Sequence, residues 1–305
     1  MNPEEGKFAC LINRTGIRTR LSFLAILAIG ILDWIWTRRI GLSIVGWTRS
    51  VIAIAIFLLV KAFYSYVRSA PSLAQLAFYG ALWTGFLAMG CILTYLAASV
   101  SRPLTDFALV AFDTKLGFDW IAWNSYVGSH PVLSFVLRFA YGSLMPQILG
   151  SLILFSLARI PNRNEEFLMN AVLALLFTSF LSALYPALGP WVWFGYGGMQ
   201  PTDTLYVSDV LILRGGQAAT FTLTQMQGII CCPSYHTVLA ILVIYAHRGL
   251  RWSLPPVFAI NCLVLLSIPS EGGHYLTDML AGAGVAVLTM GITHVVMTLR
   301  NCKGV

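Results

Sequence analysis

The sequence predicts an all-α integral membrane protein, a polytopic bundle of about eight transmembrane helices, on three observations. Of the 305 residues, 58% are hydrophobic and only 10% are charged, against about 25% charged in an ordinary soluble domain. Apolar runs approaching or exceeding the roughly 20 residues that cross a bilayer recur along the chain. Lys and Arg gather in alternate connecting segments, as the positive-inside bias demands.

The first span, Leu21 to Trp36, follows the basic stretch Arg14 to Arg20 and lacks a small-residue cleavage site, so it reads as a retained span rather than a signal peptide. Val51 to Tyr66 is the second, and Ser69 to Ser101, without a single charge, the third. The next stretch, "PLTDFALVAFDTKLGFDWIAWNSYVGSHP", mixes aromatic residues with Asp106, Asp113, Lys115 and Asp119. It is too polar to span, and Trp120 and Trp123 suit a segment lying at the interface. Val132 to Leu157, with Arg138 inside it, and Phe167 to Leu188 follow. The last three spans are Tyr235 to Ala246, Leu254 to Ile268 and Met279 to Leu299.

Between Gly189 and Cys232 the Gly, Pro and alternating Thr content predicts turns and short extended pieces rather than a helix. A loop of that length inside a compact domain is usually functional. Two regions result: N-terminal transmembrane helices over 1–105, and a membrane domain over 106–299 with an outer loop at 189–232.

With the N-terminus inside, the cytoplasmic segments collect Lys7, Arg14, Arg18, Arg20, Lys61, Arg68, Arg159, Arg163, Arg248, Arg251, Arg300 and Lys303. Arg38, Arg39, Arg102, Lys115 and Arg214 fall on the other side. Both termini are therefore expected in the cytoplasm and Pro233–His236 outside; the bias suggests a bacterial inner membrane. The net charge of +7 is topological on this reading, and no nucleic-acid partner is needed. Six scattered cysteines show no paired metal spacing and read as small buried thiols.

Two polar islands carry chemistry. Pro233-Ser234-Tyr235-His236 enters one span and "SIPSEGGHYLTDMLAG", residues 267–282, enters the last. Two spans separate them, so they lie on one side of the membrane. Each stands at a helix N-terminus, where unpaired N–H groups and the positive end of the dipole favour an anion. Gly272 and Gly273 permit close backbone approach, and Ser234 can donate a hydrogen bond. His274 and Asp278, four apart, share a helix face. A carboxylate on one imidazole nitrogen makes the other a stronger nucleophile, fit to attack phosphorus, while His236 protonates the leaving oxygen.

"PSYH" followed by "GGHYLTDMLAG" resembles the type 2 phosphatidic acid phosphatase superfamily, and most closely its branch containing inositol phosphorylceramide synthases. "FDTKLGFDW", "YGSLMPQ", "LYPALGPW" and "LILRGG" resemble segments of the same branch, so the likeness covers about residues 110–290. The family's third motif, Ser-Arg, five residues, His, three residues, Asp, is matched in register by Ser267, His274 and Asp278. The resemblance implies a six-helix phosphatase-like core, a His274 nucleophile oriented by Asp278, and His236 as proton donor to the leaving group. It implies no cofactor and a lipid phosphate as substrate, with water or an alcohol as acceptor.

Two departures stand out. Ile268 replaces the arginine of the third motif, and the family's first motif, Lys, six residues, Arg-Pro, is not found. Cationic clamps on phosphate supply much of phosphoryl-transfer catalysis. Arg214, flanked by glycines, is the first candidate to replace them, Lys115 the second and Arg138 the third. Two other classes stay open: a metal-dependent hydrolase ligated by His236, His274 and Asp278, and a transporter, against which the clustering of charge at one interface counts. Oligomeric state is not legible.

Overall fold

In the computed structural model the described residues are 3–195 and 205–301, the side chains of 3–15, 17, 205 and 296–301 excepted. Among the described residues the fold is all-α apart from two four-residue strands. Six helices are long and apolar enough to cross a membrane: Arg18–Arg39 (within α1, Pro3–Arg39), α2 (Thr48–Ala62, continuing as a short π-helix to Val67), α3 (Pro71–Ala98), α8 (Pro161–Leu184), α12 (Leu254–Glu271) and α13 (Leu276–Asn301, of which Leu276–Val295 qualifies). α6 (Pro131–Gly142) and α7 (Leu144–Leu157) together are long and apolar enough for a seventh if the pair, bent by 45° at its junction, is one span rather than a re-entrant loop. The eighth expected span, α11 (Tyr235–Ala246), has 12 residues. At 1.5 Å per residue it is about 18 Å long, short of the roughly 30 Å hydrocarbon core.

Proline marks the helix starts. Pro71, Pro131 and Pro161 open α3, α6 and α8, where the missing N–H costs nothing and φ is already helical. Between α3 and α6 lie two short helices, α4 (Asp106–Lys115) and α5 (Trp120–Gly128). Asp119 caps α5, accepting from the Ala122 amide at 2.9 Å. Trp120 ties this segment to the bundle, its indole N–H donating to the Pro269 carbonyl at 2.9 Å.

Apolar burial drives helices together only weakly in lipid, so close fit decides the packing. α3 and α8 meet where Gly90 leaves room for Leu175, whose Cδ2 fills the space a Cβ would need. α13 reaches α11 in the same way: a side chain on Gly282 would collide with the Ser234 carbonyl. Around these contacts Phe86, Phe155, Leu168, Leu242 and Ile268 are fully buried.

The long loop holds more helix than its composition predicts. α9 (Pro190–Trp193) and α10 (Leu205–Arg214) lie within it; α10 gains support by packing Val210 and Leu213 onto Tyr95 and Leu96 of α3. Its Thr-rich part is extended as expected, forming β2 (Ala219–Thr222), which pairs in parallel with β1 (Leu42–Val45) in the register Leu42 to Ala219. The first connection of the N-terminal spans is thereby joined to the loop above the site.

At the far end of α11, His247 is buried between two hydroxyls, Nε2 at 2.9 Å from Ser151 and Nδ1 at 3.0 Å from Ser253. Arg248 beside it makes a two-pronged pair with Glu166 at 2.7 Å. The basic "AHRGLRW" loop thus contains a packed joint as well as topological charge.

Candidate active site

Ser234 starts α11. It adopts an extended conformation and its hydroxyl accepts from the Thr237 amide at 3.4 Å, which caps the first turn and puts His236 at the second helical position. The start of α13 is fixed from two directions. Asp278 reaches back to accept from the Tyr275 amide at 3.0 Å. From α4, Asp113 accepts from the Leu276 amide at 2.9 Å and from the Thr277 amide and hydroxyl at 2.7 and 2.6 Å.

The two islands touch, the Ser234 amide donating to the main-chain oxygen of Asp278 at 3.0 Å. One face of α4 fastens them to the loop as well. Asp106, seven residues before Asp113, accepts from the Gly189 amide and the Tyr275 hydroxyl, both at 2.9 Å, and from the Leu188 amide at 3.1 Å.

His274 Nδ1 lies 3.2 Å from Asp278 Oδ1. The pairing predicted from the spacing is present, for a different physical reason: His274 precedes α13 and shares no helix face with Asp278. Gly273, at φ +61°, turns the chain beneath the Trp191 ring, where a Cβ would lie 2.7 Å from ring carbons. That turn brings His274 back over the aspartate. The second carboxylate oxygen accepts from the Cys231 thiol at 3.4 Å. Burial, then the nearby Asp278 charge, pushes Cys231 well above the ordinary thiol range, so it stays a neutral donor. Asp278 is wholly enclosed.

The rings of His236 and His274 are 6.2 Å apart, centroid to centroid. Tyr141, from α6, stacks on His236 at 4.8 Å, its hydroxyl 3.2 Å from Nε2. Both histidines and Tyr141 open on a cavity of about 550 Å³ walled largely by apolar side chains and covered by Trp191, Tyr206 and residues 226–231 of the long loop.

The other residues singled out in the sequence occupy mixed positions. Gly273 lines the cavity with the two histidines. Ser234 is fully buried as a cap. Ser267 is fully buried inside α12, its hydroxyl donating to the Val264 carbonyl at 2.6 Å. Arg214 ends α10 and donates to the Arg102 carbonyl. Lys115, exposed at the end of α4, holds its ammonium 5.4 Å from the centre of the Phe112 ring. Among the described residues no Lys or Arg lines the cavity. Arg138 comes to its edge, 3.3 Å from Glu271, which does line it.

The helix starts also differ from the expected open anion sites. Asp113 holds the first amides of α13, and the Ser234 hydroxyl holds one of α11. Asp106, Asp113, Tyr141 and Cys231 join the site without belonging to either sequence island. The signal for the two acids is their spacing: seven apart in "DFALVAFD", on one face of an otherwise apolar helix.

Residues 107–292, more than half of the chain, match the PAP2 superfamily. The chain belongs to this superfamily. Membership supports a phosphatase- or phosphotransferase-type activity in an integral membrane protein, and the matched segment contains His236, His274 and Asp278. No curated protein and no solved structure matches the chain. A metal reading would take His236, His274 and Asp278 as ligands, yet among the described residues of this PAP2 chain the donors that converge within 4.8 Å are Cys231, His274 and Asp278.

Proposed function

We propose that the protein is a membrane lipid-phosphate phosphatase or phosphotransferase that works through a phosphohistidine at the outer face of the membrane, with both termini cytoplasmic. The supporting observation is the buried His274–Asp278 contact at 3.2 Å opening on the cavity that His236 also faces. With Nδ1 set beside Asp278 Oδ1 at 3.2 Å, the Nε2 of His274 attacks phosphorus. An N–P bond forms, the bond to the leaving oxygen breaks, and that oxygen takes a proton from His236. His236 then accepts a proton from the acceptor, water or alcohol, whose oxygen attacks phosphorus and releases His274. Tyr141 orients His236. The apolar walls suit acyl chains entering from the bilayer.

A head-group transferase of the inositol phosphorylceramide synthase type is the second reading, and the absence of lining cations among the described residues favours it. A phosphomonoester carries close to two negative charges at neutral pH. A phosphodiester carries one, and so suffers less from a cation-poor, low-dielectric cavity.

The test uses purified full-length protein in detergent with chelator present. Wild type, His274→Ala and His236→Ala are offered short-chain phosphatidic acid, and separately phosphatidylinositol with ceramide. Turnover by wild type and its loss in His274→Ala, with an acid-labile phosphoryl label trapped on wild type, supports the reading. Full turnover by His274→Ala sinks it, and the substrate consumed separates phosphatase from transferase.

A further inference from the structure

A second and larger cavity, of about 1030 Å³, lies between α1, α2 and α3. Ligand pockets typically fall between about 300 and 1,000 Å³. α3 separates the two cavities: Gly90, Cys91 and Thr94 face the histidines, whereas Gly85, Met89 and Ile92 face the second space. The segment lies outside the family match, which begins at residue 107.

The walls are mostly apolar, and the polar side chains gather at the end toward β1: Asp33, Thr37, Arg38 and Ser43. Asp33, on the first span, lines the cavity at 3% exposure, and neither carboxylate oxygen has a hydrogen-bond partner. Thr37, one turn on, does not relieve it: that hydroxyl donates to the main-chain oxygens of Asp33 and Trp34 at 2.6 and 3.1 Å. A buried acceptor left this way is costly and calls for a donor.

The position of Asp33 limits the donor. Arg38 and Trp47 stand at the end of the cavity near β1, and Phe23 and Phe78 at the other. Arg38 and Trp47 mark one membrane interface, while Phe23, three residues after Arg20, and Phe78, whose ring centre lies 5.4 Å from the Lys61 ammonium, lie toward the other. From Phe23 to Thr37 the first span rises about 21 Å at 1.5 Å per residue, room for an acyl chain. Asp33 is five residues, about 7.5 Å, deeper than Arg38. It therefore meets the segment joining head group to chains rather than the head itself. A fully esterified diacyl phospholipid has only acceptors there.

We propose that this cavity is a second lipid site, separate from the catalytic one, that takes a lipid bearing a free hydroxyl or amide N–H in its interfacial segment, with Asp33 accepting from it.

The experiment uses full-length protein in dodecyl maltoside and two probes with the same photoreactive acyl chain: a monoacylglycerol, which has free hydroxyls, and a diacyl phosphatidylcholine, which has no donor. Cross-linked peptides are mapped by mass spectrometry. The expected result is labelling of residues 18–98 by the monoacylglycerol, competed by its unlabelled form, and about fivefold weaker labelling by the phosphatidylcholine. Asp33→Leu removes the preference while its melting temperature holds or rises, because an unpaired buried acid has gone. Gly85→Leu, where an added Cβ meets nothing closer than Ile26 at 3.9 Å, fills the space and lowers labelling by both probes. Equal labelling of wild type by the two probes overturns the proposal, as does an undiminished preference in Asp33→Leu. The comparison of probes on wild type decides the first point even where a variant fails to fold. Turnover at His274 is a separate readout, so failure of the catalytic reading is distinguishable.

Discussion

Asp113 grips Thr277 twice, through its amide and its hydroxyl, and so holds the helix one residue before Asp278 from a different segment of the chain. The site is positioned from outside its own motif. Asp113→Ala should destabilise the protein by about 1–2 kcal/mol, the range of a lost N-cap, and lower turnover more than any effect on substrate affinity. Thermal unfolding in detergent and steady-state kinetics check both parts. Asp113→Asn, which keeps an acceptor, should recover most of the stability.

Tyr141 touches His236 through its ring and its hydroxyl, and Tyr141→Phe separates the two. The stacking survives and the hydrogen bond does not. Turnover should fall about tenfold, the equivalent of one net hydrogen bond of roughly 1.4 kcal/mol, with KM nearly unchanged. An unaltered kcat would show that the hydroxyl does not orient the histidine.

The arginines can be ranked by their neighbours. Arg138 pairs at the cavity edge with Glu271, while Arg214 is bound to the Arg102 carbonyl. Arg138→Ala should raise KM for a phosphate ester several-fold, and high salt should mute the difference, since the pair is exposed on the arginine side. Arg214→Ala should leave KM within about twofold and act on stability instead.

His247 supplies a pH test of stability. Burial, and then the nearby Arg163 charge, lowers its pKa from the ordinary 6.5. The unfolded chain therefore takes up a proton that the folded one resists. Stability from this group is present above pH 6.5 and is lost as pH falls toward the depressed value. Melting temperature should drop between about pH 6.5 and 5, and His247→Gln should flatten that drop. An identical profile in the variant would assign the acid sensitivity elsewhere.

The helical membrane architecture is legible because composition and apolar run length are one-dimensional quantities. Pro233–His236 and His274–Asp278 are legible because each is local. What escapes depends on contacts across long separations. Asp106 and Asp113 read as interfacial polar residues until α4 is seen packed beneath the islands. Arg214 is adjacent to glycines in sequence, but α10 turns it toward Arg102. α10 is helical despite its loop-like flanks because Val210 and Leu213 find a buried surface on α3. His247 reads as part of a basic loop, since nothing local announces that Ser151 and Ser253 will meet it.

The pairing of Leu42 with Ala219 has a consequence for how the protein is made. At about 5–20 residues per second the ribosome delivers β1 roughly 10–35 s before β2. Through that interval β1 waits at the bilayer surface with an open edge, while the helices between them insert. The covering loop can engage only after those helices are in place, so the roof over the histidines is among the last parts to close. A chain begun downstream of β1 would thread the same histidines into the membrane and keep the α3 and α4 anchors of the roof, but leave β2 without its partner strand.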